Sequence, residues 1–391
     1  MTVCQRSIRL KTLAVAVILS ALSALPAAGA GERVVAVGDI HGNFDGLVSI
    51  LKRAELIDED LHWVGGSTTF VQTGDIFDRG VEVRKVLDLL MRLEDEAAGD
   101  GGKVVVLLGN HEGMNLIGFY RDVNPEVFAT FADEDSEKRR KREFKDFKRY
   151  WRAQAEALGV ENPVITAEVK NAWMEAFPPG WFEYNDALGP EGRFGAWLRG
   201  RPVAVMIGDV LFVHGGIGPD LAGLSVAEIN QEVAQELATY DRLREEMVAE
   251  RLVPSTASLI SLVKAYGQQD PPDPKYAALA GANDWLIQSP GGPLWFRGGA
   301  RWDEEVDATR MADILDGIGA KRVVEGHTVQ DEGRIEVRFG GRVILIDTGM
   351  LSSVYHGGRP SALVIEDGTF SAIYTDGSEE VLLDEALPDA A

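Results

Sequence analysis

Three times in the first third of this 391-residue chain, an apolar run ends on a glycine followed at once by a carboxylate or an amide. The segments are "VVAVGDIHGN" at 34–43, "TTFVQTGDIFDRG" at 68–80 and "VVVLLGNHEG" at 104–113. A strand covered on both faces has no polar alternation, so each run reads as a buried strand. After the first, Phe44, Leu47, Val48 and Leu51 fall at helical spacing, and after the second so do Val83, Val86, Leu87, Leu90 and Met91. Strand, short loop and helix in repetition imply a mostly parallel α/β sheet. In such sheets ligands bind at the carboxyl ends of the strands, where Asp39, His41, Asp75, Asn110 and His111 stand.

Residues 113–200 are charged, aromatic and helical in pattern. Within them Lys138 to Arg152 carries nine basic residues, with Phe144, Phe147 and Trp151 on one face. That pattern is a solvated helix packed by an aromatic stripe, with a local basic surface guiding an acidic substrate as the functional alternative. Beyond Arg201 the chain turns to hairpins: "VAVMIGDVLFVHGG" around Gly208-Asp209, "RIEVRFGGRVILIDTG" around Gly340-Gly341 and "SALVIEDGTFSAIYT" around Asp367-Gly368. Residues 225–268 read as helical, and "QQDPPDPK" after them as a surface loop. There is no internal repeat and no low-complexity linker, so one domain with helical insertions is expected.

The amino terminus has the form of a secretory leader, with Arg6, Arg9 and Lys11 before an apolar stretch from Leu13 to Leu25 and a small-x-small site at Ala28-Gly29-Ala30. Residues 1–30 are therefore expected to be removed, leaving 31–391 in an exported, periplasmic protein. Cleavage takes away Cys4, the single cysteine, which excludes a thiol nucleophile, a thiolate metal site and disulfides. It also removes three of the 39 basic residues and none of the 62 acidic ones, so the formal charge becomes 36 minus 62, or −26. Such a surface repels polyanions, which argues against nucleic acid or an anionic membrane as partner. An anionic substrate then needs a strongly positive local site.

Five strand ends supply metal-type ligands: Asp39 with His41, Asp75 with Asp78 and Arg79, Asn110 with His111, His214 in "FVHGG", and His327 in "VEGHT". Four of the six histidines are in this set. Mixed Asp, His and Asn donors suit hard or borderline divalent metals when no thiolate is present. Of the other two, His62 reads as a solvated loop residue, and His356, with Tyr355, follows the "IDTGM" strand end, where the two are candidates to line the site.

The blocks "GDIHG", "GDIFDRG", "GNHE", "VHGG" and "GHT" resemble the signatures of the calcineurin-like metallophosphoesterases, phosphoprotein phosphatase branch. The strings "LLGNHEGMNLIGFYRDV" and "GPLWFRG" are most similar to the Shewanella-like protein phosphatases. Eukaryotic-type enzymes resemble "LRGNHE" at the third block, and Leu107-Leu108-Gly109 sets this chain apart from them. The resemblance implies a four-layer α/β/β/α sandwich over 31–391, with mainly helical insertions at 113–200 and 219–290. It implies two divalent metals (manganese, iron or zinc), the first on Asp39 and His41, the second on Asn110, His214 and His327, and Asp75 shared. The attacking group would be a hydroxide bridging the two metals. His111 would protonate the leaving oxygen, Asp78 would orient it, and Arg79 and Arg297 would clamp phosphoryl oxygens. The rival for Arg297 is an ion pair with the acidic loop after Arg301. The implied substrate is a phosphoprotein or phosphopeptide, with phosphotyrosine slightly favoured over phosphoserine and phosphothreonine. The alternatives are a dinucleoside polyphosphate hydrolase and an inactive metal-binding sensor.

Overall fold

The computed structural model describes residues 33–161, 163–267 and 273–385. The expected leader and Cys4 lie outside them, as do residues 268–272 of the loop-like stretch. The chain begins as anticipated, with β1 (Val34–Val37), α1 (Phe44–Arg53), β2 (Thr69–Gln72), α2 (Val83–Gly99) and β3 (Lys103–Val106). β1, β2 and β3 are parallel, with Val34 beside Thr69 and Thr69 beside Lys103. Helix α3 (Asn110–Leu116) starts on the third block itself, so Asn110 and His111 occupy a helix amino terminus rather than a free loop. Five helices follow: α4 (Pro125–Phe131), α5 (Ser136–Ala157), α6 (Ala167–Ala176), α7 (Trp181–Ala187) and α8 (Arg193–Arg199).

The second sheet opens with the hairpin of β4 (Ala204–Ile207) and β5 (Val210–Val213), turned at Gly208 with φ of 62°. Helices α9 (Val226–Ala249), α10 (Leu259–Tyr266), α11 (Gly298–Arg301) and α12 (Glu304–Ile318) lead to β6 (Arg322–Glu325), β7 (Glu336–Arg338) and β8 (Val343–Leu345). The chain returns to the first sheet as β9 (Ser361–Glu366), β10 (Thr369–Tyr374) and β11 (Glu379–Asp384). The strand orders are β11-β10-β9-β1-β2-β3 and β4-β5-β6-β8-β7. Each sheet therefore has three parallel strands, β1, β2 and β3 in one and β5, β6 and β8 in the other.

Alternate residues on a strand face opposite sides, and the apolar clusters follow that rule. Val34, Ala36, Val71 and Val105 meet Val210, Phe212, Val324 and Ile344 between the sheets. Val35, Val37, Phe70 and Val104 instead join Leu47, Leu51, Val86 and Leu90 of the covering helices, and Leu211, Val213 and Val323 belong with Ile229, Val233 and Ile314. The result is the four-layer sandwich. Among the described residues no helix is long and apolar enough to cross a membrane.

Three details depart from the sequence reading. The Gly340-Gly341 turn is not a tight hairpin, because a short 3-10 turn, Phe339–Gly341, separates β7 from β8. β11 has no counterpart in the anticipated elements. On α5, Phe144 and Phe147 pack against Trp173, whereas Trp151 stays outside the apolar cluster. Five of the nine basic residues of that run stand beside acids: Arg139 pairs with Asp186 at 2.7 Å, Arg149 with Asp146 at 2.5 Å, Arg140 with Glu137 at 2.8 Å, Lys138 with Asp135 at 3.5 Å and Arg142 with Glu143 at 3.8 Å. That favours the solvated-helix reading over a substrate-guiding patch.

Candidate metal centre

The loops after β1, β2 and β3 are knitted into one piece. The Ile40 and His41 N–H groups donate to the Asp75 carbonyl at 3.0 and 2.9 Å, and Gly42 donates to the Ile76 carbonyl at 2.8 Å. The buried Glu112 carboxylate accepts four backbone N–H groups, from Gly109 (2.6 Å), Asp75 (2.7 Å), Ile76 (2.7 Å) and Phe77 (3.2 Å). His41, Asp75, Asp78, Arg79 and His327 all hold left-handed backbone, five of the ten such non-glycine residues among those described. Each costs about 1–3 kcal/mol and persists only where its surroundings impose it. Glycine is required at 109, where a Cβ would stand 2.3 Å from Asp75 Oδ1, and at 326, where it would stand 2.6 Å from Asp39 Oδ1.

These loops and those of the second sheet converge on one buried cluster. His214 Nε2 lies 3.2 Å from Asp75 Oδ1, 2.9 Å from Asn110 Oδ1 and 3.1 Å from His327 Nδ1. His214 Nδ1 contacts the Thr73 carbonyl at 2.9 Å and His327 Nε2 the Trp295 carbonyl at 3.3 Å, and a ring N–H is the only group that can make either contact. In the neutral, metal-binding form of these rings four lone pairs then face one another. On the other side of Asp75, His41 donates Nδ1–H to the Phe77 carbonyl at 2.8 Å and aims Nε2 at Asp39 Oδ2 (3.8 Å) and Asp75 Oδ2 (3.7 Å). Two groups of ligand atoms, His41/Asp75/His111 and Asp75/His214/His327, each lie within 4.8 Å and share Asp75. The Asp39 carboxylate ties the sheets together by accepting the His327 N–H at 3.0 Å.

Electrostatics sort these groups. Burial drives His41 down to about 3 and, with His214 beside it, His327 down to about 2, so both are neutral donors at working pH. Burial pushes Asp75 up, but His214, His111 and His41 together hold it well below the usual carboxylate range. Asp39 is raised by burial and by the Asp347 and Asp75 charges. Asp347, at the end of β8, is pushed by burial to about 6, and its Oδ2 is buried without a hydrogen-bond partner. Converging lone pairs and an orphaned carboxylate oxygen are what a bound cation resolves. The residues present fit divalent metals.

His111 behaves differently. Its Nε2 is 3.7 Å from Asp75 Oδ2, but its Nδ1 is 2.5 Å from Asp78 Oδ2. Burial pulls its pKa down, yet Asp75 and Asp78 outweigh that and raise it, favouring the protonated ring. The Arg79 guanidinium touches His41 Nε2 and sits 5.5 Å from the centroid of the Tyr355 ring. Arg297 donates to the His327 carbonyl at 2.9 Å and to Thr328 Oγ1 at 2.8 Å, in place of the anticipated rival pairing with the acidic loop. Tyr355 lies 6.1 Å from the His41 ring, while His356 is exposed. His62 is exposed and pairs with Glu96 at 2.9 Å.

All ten residues anticipated as ligands or catalytic groups thus meet at one edge of the sandwich. Glu112 and Asp347 had no role assigned from sequence. Asp347 carries the same signal as the others, an apolar run, "VILI", ending on an acid two residues before a glycine. Glu112 stands in a quoted block, but only the fold reveals four amides around it.

Residues 32–331 match the sequence profile of the calcineurin-like phosphoesterases. The chain is 26% identical to Shewanella-like protein phosphatase 1 of Plasmodium berghei over 345 residues, 87% of this chain and 74% of that one. It is 28% identical to Shewanella-like protein phosphatase 2 of Arabidopsis thaliana over 379 residues, 92% and 82% of the two chains. Among solved structures it resembles the cold-active protein-tyrosine phosphatase of a psychrophilic Shewanella species, with a TM-score of 0.58 and 26% identity over 91% of this chain and 81% of that one. A profile match over most of the sequence and a sandwich whose strand ends gather that family's blocks around one cradle of metal donors agree: the chain belongs to the calcineurin-like phosphoesterases and is a hydrolase.

Proposed function

We propose that this protein is a metal-dependent phosphatase that hydrolyses phosphomonoesters on proteins or peptides, with phosphotyrosine favoured. The observation that carries the reading is the pairing of two donor groups through Asp75 with a His111–Asp78 dyad beside them. The Plasmodium and Arabidopsis relatives are named as protein phosphatases, which supports the substrate class. The similar Shewanella enzyme is named as a protein-tyrosine phosphatase, which supports phosphotyrosine.

Asp39, His41 and Asp75 would hold one divalent cation, and Asp75, Asn110, His214 and His327 the other. His, Asp and Asn suit manganese, iron and zinc alike. Such ions supply positive charge for the phosphoryl oxygens and acidify nearby water enough for attack near neutral pH. Arg79 and Arg297 present guanidinium groups to the remaining oxygens, fixed positive charge in an acidic protein. His111, whose protonated form Asp75 and Asp78 favour, hands its proton to the leaving oxygen.

The test is kcat/KM of the manganese-loaded protein on peptides differing only in phosphotyrosine, phosphoserine or phosphothreonine. Turnover of all three with phosphotyrosine fastest is expected. Equal or faster serine and threonine peptides would remove the tyrosine preference, and no turnover of any would remove the reading.

A further inference from the structure

A line of hydrogen bonds leads from the helical insertion to the imidazole of His111. Tyr184 on α7 lies 2.6 Å through its hydroxyl from Asn115 Oδ1. Asn115 Nδ2 lies 3.0 Å from Asp78 Oδ1 and 2.9 Å from the His111 carbonyl, and Asp78 Oδ2 contacts His111 Nδ1. All four residues are buried. Only one placement of protons satisfies the line. The amide faces two acceptors on one side, so its NH2 must point to them, its oxygen must point to Tyr184, and the phenol must donate. A flipped amide would set its oxygen against a carboxylate and a carbonyl. Tyr184 has no freedom to leave, because Tyr120, Phe128 and Phe131 hold its ring edge-to-face at 5.2, 5.2 and 5.1 Å. The insertion reaches Arg79 as well, through Asn124 Nδ2 donating to its carbonyl at 3.1 Å.

We infer that Asn115 and Tyr184 are positioning residues for proton delivery, fixing the Asp78 carboxylate and through it the angle of the His111 ring. With Oδ1 tied to Asn115, Asp78 cannot rotate about its terminal torsion, so Oδ2 keeps the imidazole aimed. The inference rests on the reading of His111 as the acid. In that step the oxygen of a water that has already released one proton to solvent, which later reprotonates His111, forms the new bond to phosphorus, and the bond from phosphorus to the alcohol oxygen breaks with its electron pair kept on that oxygen. The proton on His111 Nε2 joins the departing oxygen, giving phosphate and a neutral alcohol or phenol. A displacement of about 1 Å in such a group costs roughly a hundredfold in rate. The insertion thereby contributes to the speed of bond cleavage as well as to packing.

The experiment compares kcat of the manganese-loaded protein with that of His111→Asn, Tyr184→Phe and Asn115→Leu on aryl phosphates, from dinitrophenyl phosphate to phenyl phosphate. A dinitrophenolate departs without a proton, whereas phenol needs one. His111→Asn should therefore lose far more rate on phenyl than on dinitrophenyl phosphate. Tyr184→Phe should lose roughly fivefold on phenyl phosphate, the equivalent of one net hydrogen bond, and less than about twofold on dinitrophenyl phosphate. Asn115→Leu should show the same pattern, larger, with manganese content and KM held. A role in stability alone would lower every substrate by the same factor. If His111→Asn steepens the leaving-group dependence and both other variants keep the unaltered slope, the positioning role is wrong and the acid assignment stands. If His111→Asn leaves the slope unchanged, the acid assignment falls and takes the inference with it.

Discussion

In the loops after β1, β2 and β6, five non-glycine residues hold left-handed backbone and the buried side chains include carboxylates and imidazoles. In α4 to α7 the buried side chains are mostly aromatic rings, and among the described residues there only glycines, Gly159 and Gly180, take positive φ. The first region stores strain and unpaired charge that only bound cations and neighbouring hydrogen bonds relieve. The second is held by ring packing that needs no ligand. Changes at the strand ends should therefore register in metal affinity and rate, and changes in the insertion's ring packing in stability, the Tyr184 hydroxyl being the point where the insertion reaches the site.

The largest effect belongs to Asp75→Asn, which weakens the one carboxylate shared by both donor groups. Activity should fall well beyond the roughly 10–100-fold that a change behind the ligands produces, with metal loss measured by elemental analysis. Asp347→Asn should lower manganese affinity about 10–100-fold in calorimetry, since it removes a buried charge beside Asp39 without touching the ligands named above. Unchanged affinity there would show that Asp347 does not serve the cation cradle. Trp173→Ala tests the other region: Trp173 packs against Phe144, Phe177 and Phe182. Urea unfolding should show a loss of about 3–5 kcal/mol with little change in kcat per folded molecule.

The weakest response concerns Glu236, whose carboxyl accepts the N–H groups of Leu286 (2.6 Å) and Ile287 (3.0 Å). Burial pushes it from 4.5 up to about 7. The folded chain then keeps this proton to higher pH than the unfolded one, so the associated stability is full below 4.5 and fades as pH rises through about 7. The slope amounts to about 3 kcal/mol at most, and Glu236→Gln should flatten it in unfolding curves taken across that window.

Legibility in the sequence follows the same division. β1 to β3, the parallel core and nine of the ten anticipated site residues can be placed because strand-end chemistry is local, an apolar run, a glycine and a donor, whereas Arg297 follows no strand and is reached only through the resemblance carried by "GPLWFRG". Asp347 carries the same signal but is ambiguous, since Asp-Thr-Gly also spells an ordinary turn. β11 escapes because "EEVLLD" is an acidic, largely exposed edge. The link between Tyr184 and Asn115 is not readable at all, because it joins residues 69 positions apart through a packing arrangement that no local pattern encodes. The left-handed backbone at His41, Asp75 and His327 is equally hidden, being imposed by neighbouring loops.

Whether hydrolysis depends on two cations held at the strand ends is tested most directly by stripping the protein with a chelator and titrating manganese back while following turnover of a phosphotyrosine peptide. Turnover should vanish on stripping and return in proportion to added manganese up to two ions per chain. Full turnover in the stripped protein, or saturation at a single ion, would contradict a two-cation centre.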